Sequence, residues 1–238
     1  MWDEFTVAAE IGPGDVATTI LAGRTDNVLA AGAHVEVLLD DSELRRAARF
    51  RFPSDRADFL AAHLLARACV GAMLHLPATS IDLVQRCAAC GGEHGRPMVV
   101  GRPDTHVSWA HARGYAAVAA ASVPVGVDVE VLGATSVTAD LAEMVLGATG
   151  AATILAGADP ERAFLRQWTR RECLVKLGLI TLDRIGTLAL ADPPDLPRES
   201  KPRWQSWRDD LRLLEWSATD PRALGAVVLL VGRDEQPA

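Results

Sequence analysis

The chain has 238 residues, 49% of them apolar, and a formal net charge of −7. That is length enough for a real core, in one large domain or two small ones, and the acidic balance argues against nucleic acid as a partner. No secretory pattern opens the sequence, no apolar run approaches the roughly 18 residues of a membrane span, and four cysteines do not make a disulfide framework; the expectation is a reduced, cytoplasmic protein without a membrane partner.

Residues 1–30 are loosely patterned and are expected to wander before the first strand. His34–Leu39 alternates as a strand. Asp40 or Asp41 and Ser42 are placed to cap a short helix from Glu43 to about Phe50, and after Pro53 a long helix runs from about Arg56 to Leu74. Ile81–Val84 reads as a strand, and the Gly-, Pro- and Cys-rich stretch 87–103 reads as loop. Val107–His111 and Tyr115–Ala121 form a hairpin around Ala112, Arg113 and Gly114. A strand at Val125–Val131, a shorter helix near Thr138–Leu146 and a longer one near Glu161–Leu177 follow. Strands are expected near Ile185–Leu190, Leu211–Ser217 and Leu224–Val231. The proline-rich stretch 193–202 reads as a solvent loop, and the tail from Arg233 as frayed.

Both halves thus read β-α-α-β-β-β, and Asp55-Arg-Ala-Asp-Phe-Leu60 is echoed by Glu161-Arg-Ala-Phe-Leu165. The expected fold is α+β, a pseudo-symmetric duplication with halves at 1–122 and 123–238 and the active site in the cleft between them.

Two stretches carry chemistry. On the helix 164–176, Leu165, Trp168, Glu172 and Val175 share a face with Lys176 beside them. Apolar neighbours mark that face for burial, and a buried carboxylate or ammonium needs a partner or a metal. Glu172 and Lys176 also fit a plain i, i+4 surface pair. On the strand, Val125, Val127, Val129 and Val131 take one face, and Gly126, Asp128 and Glu130 take the other. Two carboxylates side by side raise each other's pKa unless a cation sits between them, and a third from the helix would complete an oxygen-rich site for a hard ion such as magnesium.

With Gly126-Val-Asp-Val-Glu130 followed by Trp168-Thr-Arg-Arg-Glu172-Cys-Leu-Val-Lys176, the chain resembles the 4′-phosphopantetheinyl transferases of the surfactin-synthetase-activating (Sfp) type. Arg45 to Phe50 with Asp55-Arg56, Gly95-Arg96-Pro97, and Ser108-Trp-Ala-His111 match further family segments in the same order, over roughly residues 43–180. The resemblance implies magnesium-dependent transfer of the phosphopantetheine arm of coenzyme A to a serine of an acyl or peptidyl carrier protein by a monomeric enzyme. It implies that Asp128, Glu130 and Glu172 hold the magnesium and that Glu172 helps deprotonate the serine. Lys176 and Arg171 would steady the phosphates, with Lys176 neutralising the leaving group. His111 and Arg46 would contact the 3′-phosphate, and Gly95, Arg96 and Pro97 would border the adenine. Arg96 and Arg171 stand where the family usually has lysine.

Other signals read more plainly. Cys87-x-x-Cys90 with His94 has metal-ligand types but lacks an evident fourth ligand, so a metal-free loop is the favoured reading over zinc. His63 and His75 are expected to be packed or capping. The rival functions are a non-catalytic coenzyme A or nucleotide-binding module, and an interaction protein built on a zinc loop.

Overall fold

The computed structural model describes residues 2–12, 15–32, 38–87, 90–134, 136–187, 202–208, 210–220 and 222–232. The described elements run β1 (Thr6–Gly12), β2 (Val16–Arg24), α1 (Thr25–Ala31), α2 (Asp41–Ala47), α3 (Pro53–Leu74), β3 (Leu83–Gln85), β4 (Pro97–Val99), β5 (His106–Ala112) and β6 (Tyr115–Ala121). They continue with β7 (Val125–Val131), α4 (Ala139–Leu155), α5 (Pro160–Lys176), β8 (Trp204–Arg208), β9 (Leu211–Thr219) and β10 (Arg222–Leu230). The fold is mixed α+β, with two four-stranded antiparallel sheets ordered β1-β2-β6-β5 and β7-β10-β9-β8, and a small β3-β4 ladder.

Side-chain alternation explains the layering. Leu21, Val107, Ala116, Val118 and Ala120 face α3 and share a core with its apolar residues. Their neighbours Ile20, Ala22, Ala117, Ala119 and Ala121 face the other way, onto Val125, Val127, Val129 and Val131 and onto Val227 and Leu229. The reverse face of the second sheet, with Leu213, Ala226 and Val228, receives Cys173 and Leu174 of α5 and Leu177, which caps it. The order is therefore α3, first sheet, second sheet, α5. The alanine run of β6 lets α3 approach closely on one side while the second sheet packs on the other.

The two sheets meet along β5 and β7, where Val127 N donates to Ser108 Oγ at 3.1 Å. Gly126 carries a further constraint. A Cβ there would collide with the Cys173 carbonyl, so the glycine is what lets α5 lie directly on β7.

Several expectations need correction. The first residues do not wander: β1 and β2 form a hairpin, and β2 is a central strand of the first sheet. The strand expected at His34–Leu39 falls largely outside the described residues, as do the loop at 193–201 and the tail from Arg233. Pro97–Val99, read as loop, pairs with Leu83–Gln85. The hairpin turn is Arg113-Gly114, both with positive φ, as the right-handed twist of paired strands favours. The helix expected to end near Leu146 continues past a break at Gly147, whose φ of 70° no helix interior adopts. Leu182–Thr187 is a 3-10 turn where a strand was expected from Ile185, and the remainder of that strand lies outside the described residues. Strand β8 was not foreseen.

Contrary to the reading of the sequence, α3 is long and apolar enough to cross a bilayer by length and composition, with 22 residues, but most of it is buried against the first sheet. His75 ends it in the left-handed region at φ 55°, a capping position.

Candidate functional site

Strand β7 turns its valines into the core between the sheets, which leaves Gly126, Asp128 and Glu130 facing α5. Helix α5 begins at Pro160, with Asp159 capping Arg162 N, and crosses that face so that Trp168, Glu172 and Lys176 come over the strand. The expected burial is only partly realised. Leu165 is fully buried, but Trp168, Glu172, Val175 and Lys176 are half-buried, while Phe164, Cys173 and Leu174 form the core side of the helix.

Asp128 is the deepest of the three carboxylates on this face, at 7% exposure. Lys176 Nζ donates to its Oδ1 at 2.9 Å and to the Val127 carbonyl at 2.7 Å. Asp128 Oδ2 is buried and has no hydrogen-bond partner. Burial raises the Asp128 pKa against the opposing pull of Lys176. Glu130 accepts the Trp168 indole N–H at 3.1 Å, and burial, then the Asp128 charge, pushes its pKa up to about 7. Glu172 is raised by burial and by Asp128, with Lys176 offsetting part. Burial alone would lower the Lys176 ammonium, but Asp128 holds it above its ordinary value. Three carboxylates thus share one ammonium, and all three find their charged forms disfavoured. The oxygens do not converge as tightly as a filled coordination shell: among the described residues, the group of potential ligands within 4.8 Å of one another is Cys87, Cys90 and His94.

Lys176 also lines a cavity of about 480 Å³, together with Gln85, Gly95, Arg96, Pro97, Ser108 and Trp109. Arg96 Nη2 donates to the Lys176 carbonyl at 2.9 Å, tying the β3-β4 loop to the end of α5. Gln85 and Trp109 also line an adjoining cavity of about 160 Å³ that contains Arg46. Arg46 donates to Gln85 Oε1 at 2.7 Å and lies 5.1 Å from the Phe59 ring centroid. Gln85 in turn donates to the Gly95 carbonyl at 2.8 Å.

His111 stands near the end of β5 with its ring open to solvent. Protein bulk around it lowers its pKa; Asp58 pulls the other way, and Lys176 and His63 push it down further. Asp58, buried on α3, accepts from Gly114 N and so fixes the hairpin turn that carries His111. Arg171 is buried in α5 and donates to the carbonyl and side-chain oxygen of Gln167.

Sequence reasoning missed the floor of the smaller cavity. Glu43, capped into the first turn of α2 by Asp40, accepts from His63 and from both ends of the Arg67 guanidinium at 2.6–2.9 Å. All three are buried, and His63 packs between Phe59 and Trp109. The capping-box spacing of Asp40 and Glu43 was visible; the arginine and histidine one turn apart on an apolar helix were the remaining signal. Nothing in the sequence marked Gln85, and Trp109 stood out only as part of the Ser108-Trp-Ala-His111 segment. On the far side of α5, Arg166 and Arg170 converge on Glu215, which was equally unannounced.

A scan against protein-family models finds no match to this chain, and a search of curated proteins finds none either.

Proposed function

We propose that the chain is a magnesium-dependent 4′-phosphopantetheinyl transferase, moving the phosphopantetheine arm of coenzyme A to a serine of an acyl or peptidyl carrier protein. The observation that carries this reading is Asp128 Oδ2, a buried carboxylate oxygen without a partner, flanked by Glu130 and Glu172 in a place short of positive charge. A buried carboxylate oxygen without a protein partner, beside two further carboxylates, is an all-oxygen donor set of the kind magnesium takes, so the residue types fit that ion. Asp128, Glu130 and Glu172 would hold the ion, which when bound would neutralise charge on the pyrophosphate.

The remaining roles fall to side chains of the chain. In the proposed reaction the serine oxygen forms a bond to the phosphorus bearing the pantetheine. The pyrophosphate bond breaks, and adenosine 3′,5′-bisphosphate leaves with the electron pair. Glu172 receives the serine proton, a role open to a carboxylate held beside a metal ion. Lys176, half-buried beside the cavity, offsets charge on the leaving phosphate. Gly95, Arg96 and Pro97, which line the larger cavity, border the adenine; Arg46 of the smaller cavity reads the 3′-phosphate with His111, which stands outside both linings on β5.

The finer architecture belongs to the same proposal. In each sheet an early strand pairs with the last strand, and the last pairs with the one before it: β2-β6-β5 and β7-β10-β9. A long helix, α3 or α5, covers the outer face of each. We read the two units as copies of one ancestral unit, with the cleft running between them.

Intact-mass spectrometry of a panel of apo carrier proteins tests the reading. Incubation with this protein, coenzyme A and magnesium should add one phosphopantetheine per carrier; unchanged carriers across the panel would contradict it.

A further inference from the structure

The β3-β4 ladder has only three residue pairs, too few to hold a hairpin by itself. Its loop nevertheless forms a wall of the larger cavity. Within the loop, ligand atoms of Cys87, Cys90 and His94 all lie within 4.8 Å of one another, and Cys90 Sγ is 3.0 Å from His94 Nε2. The backbone is folded to bring them together. Gly91 N donates to the Cys87 carbonyl at 2.8 Å, Cys87 N to the Gly92 carbonyl at 2.9 Å, and His94 N to that same carbonyl at 2.8 Å. Gly91 has a positive φ of 69°, which a residue with a side chain adopts only under strain. A Cβ on Gly92 would stand 3.1 Å from the His94 ring and 3.3 Å from Cys90 Sγ, so the second glycine keeps the space clear for imidazole and thiol to meet.

We propose that Cys87 Sγ, Cys90 Sγ and His94 Nε2 bind one zinc ion that staples this loop. Soft thiolates with an imidazole are the donor set zinc prefers, and zinc–sulfur and zinc–nitrogen bonds of about 2.3 and 2.0 Å put atoms sharing one ion about 3–4 Å apart. Binding displaces the two thiol protons to solvent and uses neutral imidazole. Among the described residues no fourth histidine, cysteine or carboxylate joins the group, and Cys90 and His94 are exposed, so the fourth position opens to solvent and takes water. The ion acts as a cross-link within the loop, although the open fourth position sets it apart from the closed four-ligand sites of structural zinc. It fixes the chain on the path from Gln85 to Gly95-Arg96-Pro97, where Arg96 reaches the end of α5. This inference rests on the loop alone and stands or falls independently of phosphopantetheinyl transfer.

The test uses the full chain, expressed with supplementary zinc and purified without chelator. Elemental analysis should find one zinc per chain, and none in Cys90→Ser or His94→Ala of unchanged far-ultraviolet circular dichroism. Cobalt-exchanged protein should show a thiolate-to-cobalt charge-transfer band that Cys90→Ser weakens. Chelation should speed tryptic cleavage after Arg86, and added zinc should slow it again. Metal-free wild-type protein that takes up neither zinc nor cobalt would overturn the proposal. So would zinc retained by both variants, or a Cys87–Cys90 disulfide persisting in the presence of thiol reductant.

Discussion

Lys176 at the end of α5 donates its ammonium to Asp128 in the middle of β7 at 2.9 Å, and so closes the contact between the helix and the strand that carry the candidate site. The pair is not a surface ornament. Asp128 is buried, and the same ammonium also satisfies the Val127 carbonyl. Lys176→Met keeps the stem and removes both bonds, leaving a buried carboxylate beside two others. The variant should lose about 1–3 kcal/mol of stability in chelator, measured by denaturant unfolding, and magnesium should return part of it. Unaltered stability without metal would show that the pair contributes nothing to the fold.

Gly126 makes a second, purely steric prediction. Gly126→Ala places a methyl group against the Cys173 carbonyl, which belongs to helix backbone and has no rotamer with which to yield. The variant should be destabilised by about 1–3 kcal/mol in equilibrium unfolding. A change of a few tenths would mean that α5 shifts on β7 at little cost.

Glu43 sets an acid limit. Burial alone would raise its carboxyl, but His63 and the Arg67 guanidinium hold it at about 2 against an ordinary 4.5. A depressed carboxyl contributes stability that is full above the ordinary value and is lost as pH falls through the folded one. His63, lowered chiefly by burial, also loses stability on the acid side. Wild-type stability should therefore fall as pH drops from about 4.5 toward 2, and Glu43→Gln should flatten that slope. The variant should also cost about 3–5 kcal/mol at neutral pH, because Arg67 is left buried without its carboxylate. The measurement is urea unfolding across pH; parallel profiles for the two proteins would contradict it.

The proposed 3′-phosphate contacts are tested by ligand comparison. Charge-assisted hydrogen bonds are worth about 1.5–3 kcal/mol, so dephospho-coenzyme A should bind at least about tenfold more weakly than coenzyme A in calorimetry. His111→Ala and Arg46→Ala should each narrow the gap. Equal affinities in the wild type would remove both residues from that role.

How far the sequence reached can be read from single elements. The strand Val125–Val131 and the helix around Glu172 were legible to within a residue, because strict alternation and a run of helix formers leave few alternatives. Register then followed, which is why Asp128 and Glu130 could be assigned to one face. The early hairpin of β1 and β2 was not legible. Its burial pattern is nearly continuous from Val16 to Ala22, since β2 lies between two layers, and buried-both-sides strands lose their alternation. The Lys176–Asp128 contact and the Glu43 group depend on where distant segments pack, which no local pattern encodes. The Cys87–His94 loop was legible as residue types; whether they met depended on the two glycines between them.

The proposed cation site at Asp128, Glu130 and Glu172 ties metal to transfer, and a single substitution separates the two. Transfer of phosphopantetheine to an apo carrier, followed by intact mass at saturating coenzyme A, should be compared for wild type and Asp128→Asn over a magnesium titration. Asparagine keeps the size of the side chain and one oxygen, and removes the charge. Wild-type turnover should vanish in chelator, and the variant should fold and bind coenzyme A but transfer at least about a hundredfold more slowly at ordinary magnesium. Wild-type rates from the variant, or full wild-type activity in chelator, would contradict it.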